Sequence, residues 1–464
     1  MAFVTKKKAR RVNVKKNRAY KRYQEKKRQV SGKRIVGIDP AKEKHQVTVV
    51  DEGGLQKGST FSIGVNFRGY NEELWNGLRK ILGQFGPEDV VFAVETSCNL
   101  WKTLVVYLSK KGYTVLLVSP LVTYQSRPIM NNDYSKTDPK DALLIGENAQ
   151  RGYYADYHEY SSEVNRLHSL CIAYDKLVKD RSRNKMRLRS LMEEIFPEYL
   201  ECLNVDIDTS LYLLGKYYLP EHFAGMDIKR EAEHVYRLSR GNHGLETLHQ
   251  LKESAQRSIG VDKRGEEDSV RLILDVWIGE IRQLDRSIEA VSARMIEIAR
   301  GSEYFEIIAS VPGISDISAA RFIGECYGLN LFTHYKQIEK LGGLNLRLCD
   351  SGQYKGTKRI NKLGNKRLSK LQYQMTTQTA RFVPEVRIKF IKRQKKRECY
   401  RKNIIAASSV LLRILMALIK DKRRYEYRDD KVKELAALEL TYKPQKKKRK
   451  ARRTGRKSAG KEAA

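Results

Sequence analysis

The sequence predicts an α/β domain built on a mixed sheet, then a mostly α-helical half, with a basic tail at each end. Three observations carry this expectation. Between residues 35 and 158, short β-branched runs alternate with helical segments, the order of elements that a mixed sheet requires. Beyond Ser161 apolar residues recur at every third or fourth position instead. Residues 1–34 hold fifteen Lys/Arg against Glu25 alone, and residues 443–461 hold eleven with no acid, so the tails carry +14 and +11 of the net +35.

Tails of this composition cannot bury enough apolar surface to fold alone, and both are expected to be disordered. Polyanions are their natural partners, because neutralising phosphates releases condensed counterions; tails that serve only solubility or targeting are the plainer alternative. With 464 residues and a 41% apolar fraction, the chain has the length of several domains with cores of their own. The six cysteines are scattered, with no CxxC and no histidine at metal spacing, so neither a zinc site nor a disulfide framework is expected. No uninterrupted apolar run approaches the roughly eighteen residues that span a bilayer, and the N-terminus is too basic to be a secretory signal. A reducing, cytoplasmic setting without membrane contact follows as an expectation.

In chain order, RIVGIDPAKEKHQVTVVDEGG reads as strand, turn and strand, with Asp39 ending the first, and LQKGSTFSI as a third strand. Residues 68–84 place Leu74, Leu78, Ile81 and Leu82 on one helical face, DVVFAVE is a buried strand ending at Glu95, a helix covers Leu100–Lys110, and TVLLVS is another strand. A helix then starts near Asp138. From Ser161 to Pro197 runs a charged helix, and residues 200–260 show the weakest pattern in the chain. Ile273, Trp277, Ile281, Leu284, Ile288, Val291, Met295 and Ile298 form a coiled-coil seam whose partner is either the 161–196 helix or a second subunit. Pro312-Gly313 sits between two apolar helical segments, as in a helix-hairpin-helix or any bland interhelical turn. A glycine-rich basic loop around Ser351 precedes further helices, among them the buried IIAASSVLLRILMALI. The expected divisions are 1–34, 35–158, 159–300, 301–425 and 426–464.

Asp39 and Glu95 at strand ends and Asp138 and Asp141 at a helix start supply four carboxylates at one edge of such a sheet. Phosphodiester chemistry with two cations about 4 Å apart needs such a convergence, and hard Mg²⁺ selects oxygen ligands. Each acid also has an ordinary reading: Asp39 as a strand-to-turn residue, Glu95 as a solvated charge, and Asp138-Pro139-Lys140-Asp141 as a helix start with Asp138 as N-cap. Ser351 before a glycine is a turn former unless activated, and Lys355, Lys358, Arg359, Lys362 and Arg367 could hold a phosphate beside it, with Asn365 among the nucleic-acid contacts.

Taken together, GIDPAKEKH, VETSCNLWKTLVVYLSKKGYTVLLVSP and KTDPKDA, followed by VPGISDISAARFIGE, FTHYKQIEKLGGLN, DSG and KLGNKRL, resemble the DEDD-type transposases and invertases of insertion sequences, the group that includes the Piv DNA invertase. The resemblance implies a RuvC-like, RNase H-type domain over 35–158 whose Asp39, Glu95, Asp138 and Asp141 bind Mg²⁺. It also implies a C-terminal transposase domain over 301–425 in which Ser351 forms a covalent phosphoserine link to DNA. Assembly into a dimer or tetramer through the coiled coil, with one subunit's carboxylates meeting another's serine, and a structured guide RNA are implied as well. Three positions depart from the family pattern: Asn345 stands for a proline, Ser315 for a glycine and Ser369 for an arginine. Two other readings stay open, a RuvC-like nuclease that uses water and a non-catalytic nucleic-acid-binding assembly protein.

Overall fold

The computed structural model describes residues 20–442, apart from 98, 348–349, 352–353, 356–358 and 397–398 and the side chains of Met130, Asn131, Asp350, Ser351, Tyr354 and Lys355. It divides into two compact units, Met1–Glu159 and Tyr160–Ala464.

The first unit begins with a helix over residues 20–30 (α1), so the disorder expected of the basic arm does not hold there. Val30 is buried, the Tyr154 hydroxyl donates to the Lys26 carbonyl at 2.7 Å, and Tyr23 packs against Tyr153. These few contacts tie down a stretch that its charge alone would leave solvated. Residues 1–19 and the tail beyond 442 lie outside the described residues.

A six-stranded sheet follows, built from β1 (Arg34–Asp39), β2 (Lys44–Val50) and β3 (Gln56–Gly64), then β4 (Val90–Glu95), β5 (Thr114–Val118) and the short β6 (Ala155–Asp156). Their order is β3-β2-β1-β4-β5-β6, with β1, β4 and β5 parallel and the rest antiparallel. This is the meander-then-crossover order expected from the sequence. Side chains alternate across the sheet. Val36 and Ile38 of β1 and Val90, Phe92 and Val94 of β4 face one core, together with α2 (Leu74–Leu82) and α3 (Lys102–Lys110). Ile35, Val91 and Ala93 face the other, with Ile145 and Ala149 of α5 (Asp138–Gln150). Two features differ from expectation. The 68–84 helix opens with a widened π-type turn over Gly69–Glu73, and α4 (Pro120–Asn131), interrupted in pattern by Pro128, stands between β5 and α5.

The second unit is helical. Its frame is α6 (Ser162–Ile195), which after the short helices α7 (Tyr199–Cys202), α8 (Asp208–Lys216), α9 (Pro220–Ala224), α10 (Ile228–Leu238) and α11 (Leu245–Gln256) is met by α12 (Glu267–Arg300). Arg181 pairs with Asp285, and the Asn184 amide donates to Glu280 at 2.8 Å, so α6 and α12 run antiparallel. Ile281, Ile288 and Met295 of the expected seam are buried, whereas Ile273 is 39% exposed beside exposed Leu272 and Val276. Helices α7–α11 close a core around Phe196, Tyr199 and Phe223. Helices α7, α8 and α9, of four, nine and five residues, have too few turns for a periodicity to show, which weakens the pattern across the first half of residues 200–260.

Around the other stretch of the α6–α12 pair, a second core gathers α13 (Phe305–Ala309), α14 (Asp316–Glu325), α15 (Tyr335–Leu341), α16 (Lys366–Phe382), α17 (Pro384–Gln394) and α18 (Tyr400–Asp421), with α19 (Asp429–Leu440) on the outside. Helix α18 is long and apolar enough by composition to cross a membrane, but Ile404, Ala407, Leu411, Leu412, Leu415 and Leu418 are buried in this core. The C-terminal tail therefore begins with an ordered helix, α19, before its basic run.

Candidate active site

The register of β1 on β4 pairs Ile38 with Val94, so Asp39 and Glu95 are the next residues along two adjacent parallel strands. By strand alternation both belong to the face covered by α5. That helix lies directly on β1: a Cβ on Gly37 would run into the Ala142 carbonyl oxygen, and one on Gly146 would meet Val50 Cγ2 at 2.6 Å. The two glycines let helix and strand approach, and Asp141, on the turn of α5 before Gly146, is carried to the strand ends. Asp141 is 2% exposed and Asp39 8%.

Asp138 takes a different position. The cap of α5 is Thr137, in extended conformation, and Asp138 is the first helical residue, one place later than a cap. The Asp141 N–H donates to the Thr137 carbonyl at 3.0 Å, the first hydrogen bond of the helix, as expected of an N-cap. Asp138 is exposed at the rim of the group.

The electrostatics report a crowded acidic site. Burial, followed by the charges of Glu95 and Asp141, pushes the Asp39 carboxyl up to about 7. Burial also raises Glu95, against the opposing pull of Thr123, Arg127 and Lys136. Asp141 is neutralised by Arg127 of α4, which donates from Nε at 2.9 Å and from Nη2 at 2.7 Å to its two oxygens. Among the described residues, no three acidic, histidine or cysteine side chains are gathered closely enough to hold a metal as they stand. The donor set nonetheless suits one: all-oxygen, with Asp39 and Asp141 buried and Glu95 half-buried, and with more carboxylates than Arg127 can pair.

Two supporting groups escaped the sequence reading. Arg127 sits in a segment without any periodic signal. His45, fully buried on β2, accepts the Ala41 N–H at Nδ1 (3.1 Å), so its Nε2 carries the proton towards the Tyr70 hydroxyl at 3.0 Å; Tyr70 in turn lies 2.9 Å from Thr103 Oγ1. Burial lowers the His45 pKa to about 4. This neutral imidazole pins the turn that leaves Asp39. The spacing GIDPAKEKH placed it in plain view, but a lone histidine announces no role.

In the second unit, Ser351 belongs to the strand pair Asp350–Ser351 and Tyr354–Lys355, with Ser351 opposite Tyr354 at the tip. A further pair, Leu346–Arg347 with Arg359–Ile360, continues towards α16. The Ser351 and Lys355 side chains and the whole of Lys358 lie outside the described residues. Arg359 and Lys362 are exposed. Asn365 and Arg367 are not: their side chains donate to the buried Glu325 at 2.6 and 2.7 Å, and Asn365 also caps α16. These hydrogen bonds tie Asn365 and Arg367 Nε to the fold, while the Arg367 side chain stays 28% exposed. Asn345, the departure from proline, has a buried Oδ1 without a hydrogen-bond partner among the described residues. The Pro312-Gly313 turn joins α13 to α14 with Gly313 at φ 91°, and Ser315, the N-cap, lies 3.0 Å from the Ser318 hydroxyl instead of capping.

The DEDD transposase model of IS110 elements, described as a transposase, matches residues 36–197. A second model, described as the transposase of the IS116/IS110/IS902 family, matches residues 305–390. A 44.8 kDa protein of insertion element IS116 from Streptomyces clavuligerus is 26% identical over 393 residues, covering 84% of this chain and 95% of that protein. Sheet unit and helical unit thus match the two parts of one family in order, and the chain belongs to the DEDD-type IS110/IS116 transposases, enzymes of DNA recombination.

Proposed function

We propose that the chain cuts and rejoins DNA strands with a divalent cation, Mg²⁺, held by Asp39, Glu95, Asp138 and Asp141, and with Ser351 as the nucleophile. The observation that carries this reading is the convergence of Asp39, Glu95 and Asp141 on one sheet face, where burial, and then the charges of Glu95 and Asp141, push Asp39 up to about 7. Carboxylates crowded in this way favour a cation or a shared proton over three free charges. When bound, the cation supplies neutralisation of the scissile phosphate and of the departing oxygen. Asp39 and Glu95 hold its position from rigid strand ends, Asp141 from the first turn of α5, and Asp138 from the rim.

In the transfer step the Ser351 hydroxyl oxygen bonds to phosphorus as the phosphorus–oxygen bond to one DNA segment breaks. The serine proton passes to a base, and the departing alkoxide takes up a proton. The phosphoserine conserves the bond, and attack by a hydroxyl of the incoming DNA strand releases Ser351 and rejoins the backbone. Donor and target DNA are the substrates. The +35 net charge supports a further polyanion, a structured guide RNA, bound largely by the two tails. The exposed Leu272, Ile273 and Val276 on α12 support assembly of subunits into a dimer or tetramer. The setting is the cytoplasm, next to the chromosome.

The test is a protein–DNA adduct that survives denaturation. It is expected with the wild type and Mg²⁺ and absent in Ser351→Ala; cutting by Ser351→Ala without any adduct would instead make the chain a nuclease that uses water.

A further inference from the structure

We propose that Arg127 is an internal counter-cation that must release Asp141 before a divalent ion binds, and that a nucleic-acid phosphate is what draws it away. The inference rests on the reading of Asp39, Glu95, Asp138 and Asp141 as cation ligands. Both Asp141 oxygens are taken, at 2.9 and 2.7 Å, by one guanidinium. The pair is enclosed, with side chains 14% and 3% exposed.

Such a pair has a definite energetic meaning. Asp141 stripped of its partner is a buried charge next to two other acids, which folding does not tolerate without compensation. A guanidinium compensates it, but it also blocks the site: a divalent ion would have to share the same two oxygens with a positive group held within hydrogen-bond distance. The two cations are therefore alternatives. The influence of Arg127 extends beyond Asp141, since Glu95 and Asp39 also act on it electrostatically.

Release has a destination. The Arg127 guanidinium lies 5.8 Å from the Tyr124 ring, and Tyr124 is paired with Tyr134 at 5.5 Å. Both tyrosines are more than half exposed, at 51% and 59%, so Arg127 has an exposed aromatic pair beside it. Lys136, on the segment that leads into α5, adds positive charge that reaches Asp39 and Glu95. A phosphate arriving there offers Arg127 the same two-oxygen acceptor that it leaves. Arg127 moves to the phosphate, Asp141 is freed, and the ion enters. Because linkage is reciprocal, nucleic acid tightens metal binding and metal tightens nucleic-acid binding by the same factor. The protein free of nucleic acid then holds its cutting centre unloaded.

Mn²⁺, a paramagnetic stand-in for Mg²⁺, allows a direct test by electron paramagnetic resonance on the full chain. The background is Ser351→Ala, so that DNA is not consumed. Without DNA, Arg127→Gln is expected to bind Mn²⁺ about tenfold more tightly than the parent. A short DNA duplex is expected to tighten Mn²⁺ binding to the parent by about as much, and to leave Arg127→Gln nearly unchanged. Arg127→Lys keeps the charge without the fork and should fall between the two, which preserves the test if Arg127→Gln folds poorly by circular dichroism. Equal Mn²⁺ affinities in parent and Arg127 variants, with Asp39→Asn abolishing binding in all of them, would overturn the role of Arg127 and leave the metal site standing. Absence of Mn²⁺ binding in every protein, with or without DNA, would overturn the metal reading itself.

Discussion

Asp39 and Glu95 are neighbours because Ile38 pairs with Val94 in the parallel ladder between β1 and β4. Strand register, rather than any side-chain contact, sets their separation. Alternation along both strands turns them to the same face, where α5 delivers Asp141. The arrangement concentrates negative charge in a place that burial makes unfavourable for it, and its consequences for stability can be measured without any DNA.

The first consequence concerns pH. The folded Asp39 carboxyl is raised from 3.8 to about 7, so the folded chain holds this proton more tightly than the unfolded chain does. Its contribution to stability is complete below about pH 4 and is lost as pH rises through about 7. Asp39→Asn removes the loss. At pH 8 without metal it is expected to stabilise the sheet unit by on the order of 2 kcal/mol, and at pH 4 to change little. Thermal unfolding at the two pH values checks this.

Gly37 and Gly146 are needed for a different reason. Neither is required for a turn; they are the places where α5 touches β1 and Val50. Gly146→Ala puts a methyl group against Val50 and should cost about 1–3 kcal/mol as the helix lifts. Because Asp141 rides on the same helix, strand cutting should fall more steeply than stability. Measuring both in one variant separates displacement of the carboxylate from simple unfolding.

His45 holds the turn that follows Asp39 through its hydrogen bond to the Ala41 N–H. Groups bonded directly to a metal ligand are commonly worth about 10–100-fold in metal affinity, and a group that holds the ligand's turn should lie at the low end of that range. His45→Phe fills the volume but cannot accept the N–H, and should weaken Mn²⁺ binding by about tenfold. Tyr70→Phe, which keeps the Ala41–His45 bond, should do much less. Since burial lowers the His45 pKa to about 4, its protonation should leave no mark on an activity profile between pH 6 and 9.

The basic residues near Ser351 should divide into two groups. Arg367 donates to Glu325, which is only 1% exposed, so Arg367→Ala strands a buried carboxylate and should cost the helical unit about 2 kcal/mol or more. Arg359 and Lys362 are exposed, and each change to alanine there should leave stability intact while reducing the slope of DNA affinity against salt by about one. Denaturation curves and binding isotherms at several salt concentrations distinguish the two behaviours.

The sheet unit was legible in the sequence because its elements are short, strongly β-branched and punctuated by turns: DVVFAVE ends at Glu95 just where β4 does. The candidate site was legible in part. Acids at strand ends and at a helix start can be placed by pattern, but Arg127 cannot, since its partner Asp141 is reached only through the packing of α4 on α5. Asn365 and Arg367 show the converse. A basic, amide-bearing stretch suggests nucleic acid, yet whether such groups face outward depends on Glu325, which lies forty residues away from Asn365, buried at the end of α14. The α12 seam was visible as a period, and its division between an intrachain face and an exposed one was not, because periodicity names no partner.

The most direct measurement is Mg²⁺-dependent cutting and joining of element-bearing DNA by the full chain, compared between the wild type, Asp39→Asn and Asp141→Asn. Loss of strand cutting in both variants, with folding preserved by circular dichroism, is the expected result. Cutting and joining at wild-type rates in both would contradict the assignment of Asp39 and Asp141 to the cutting centre.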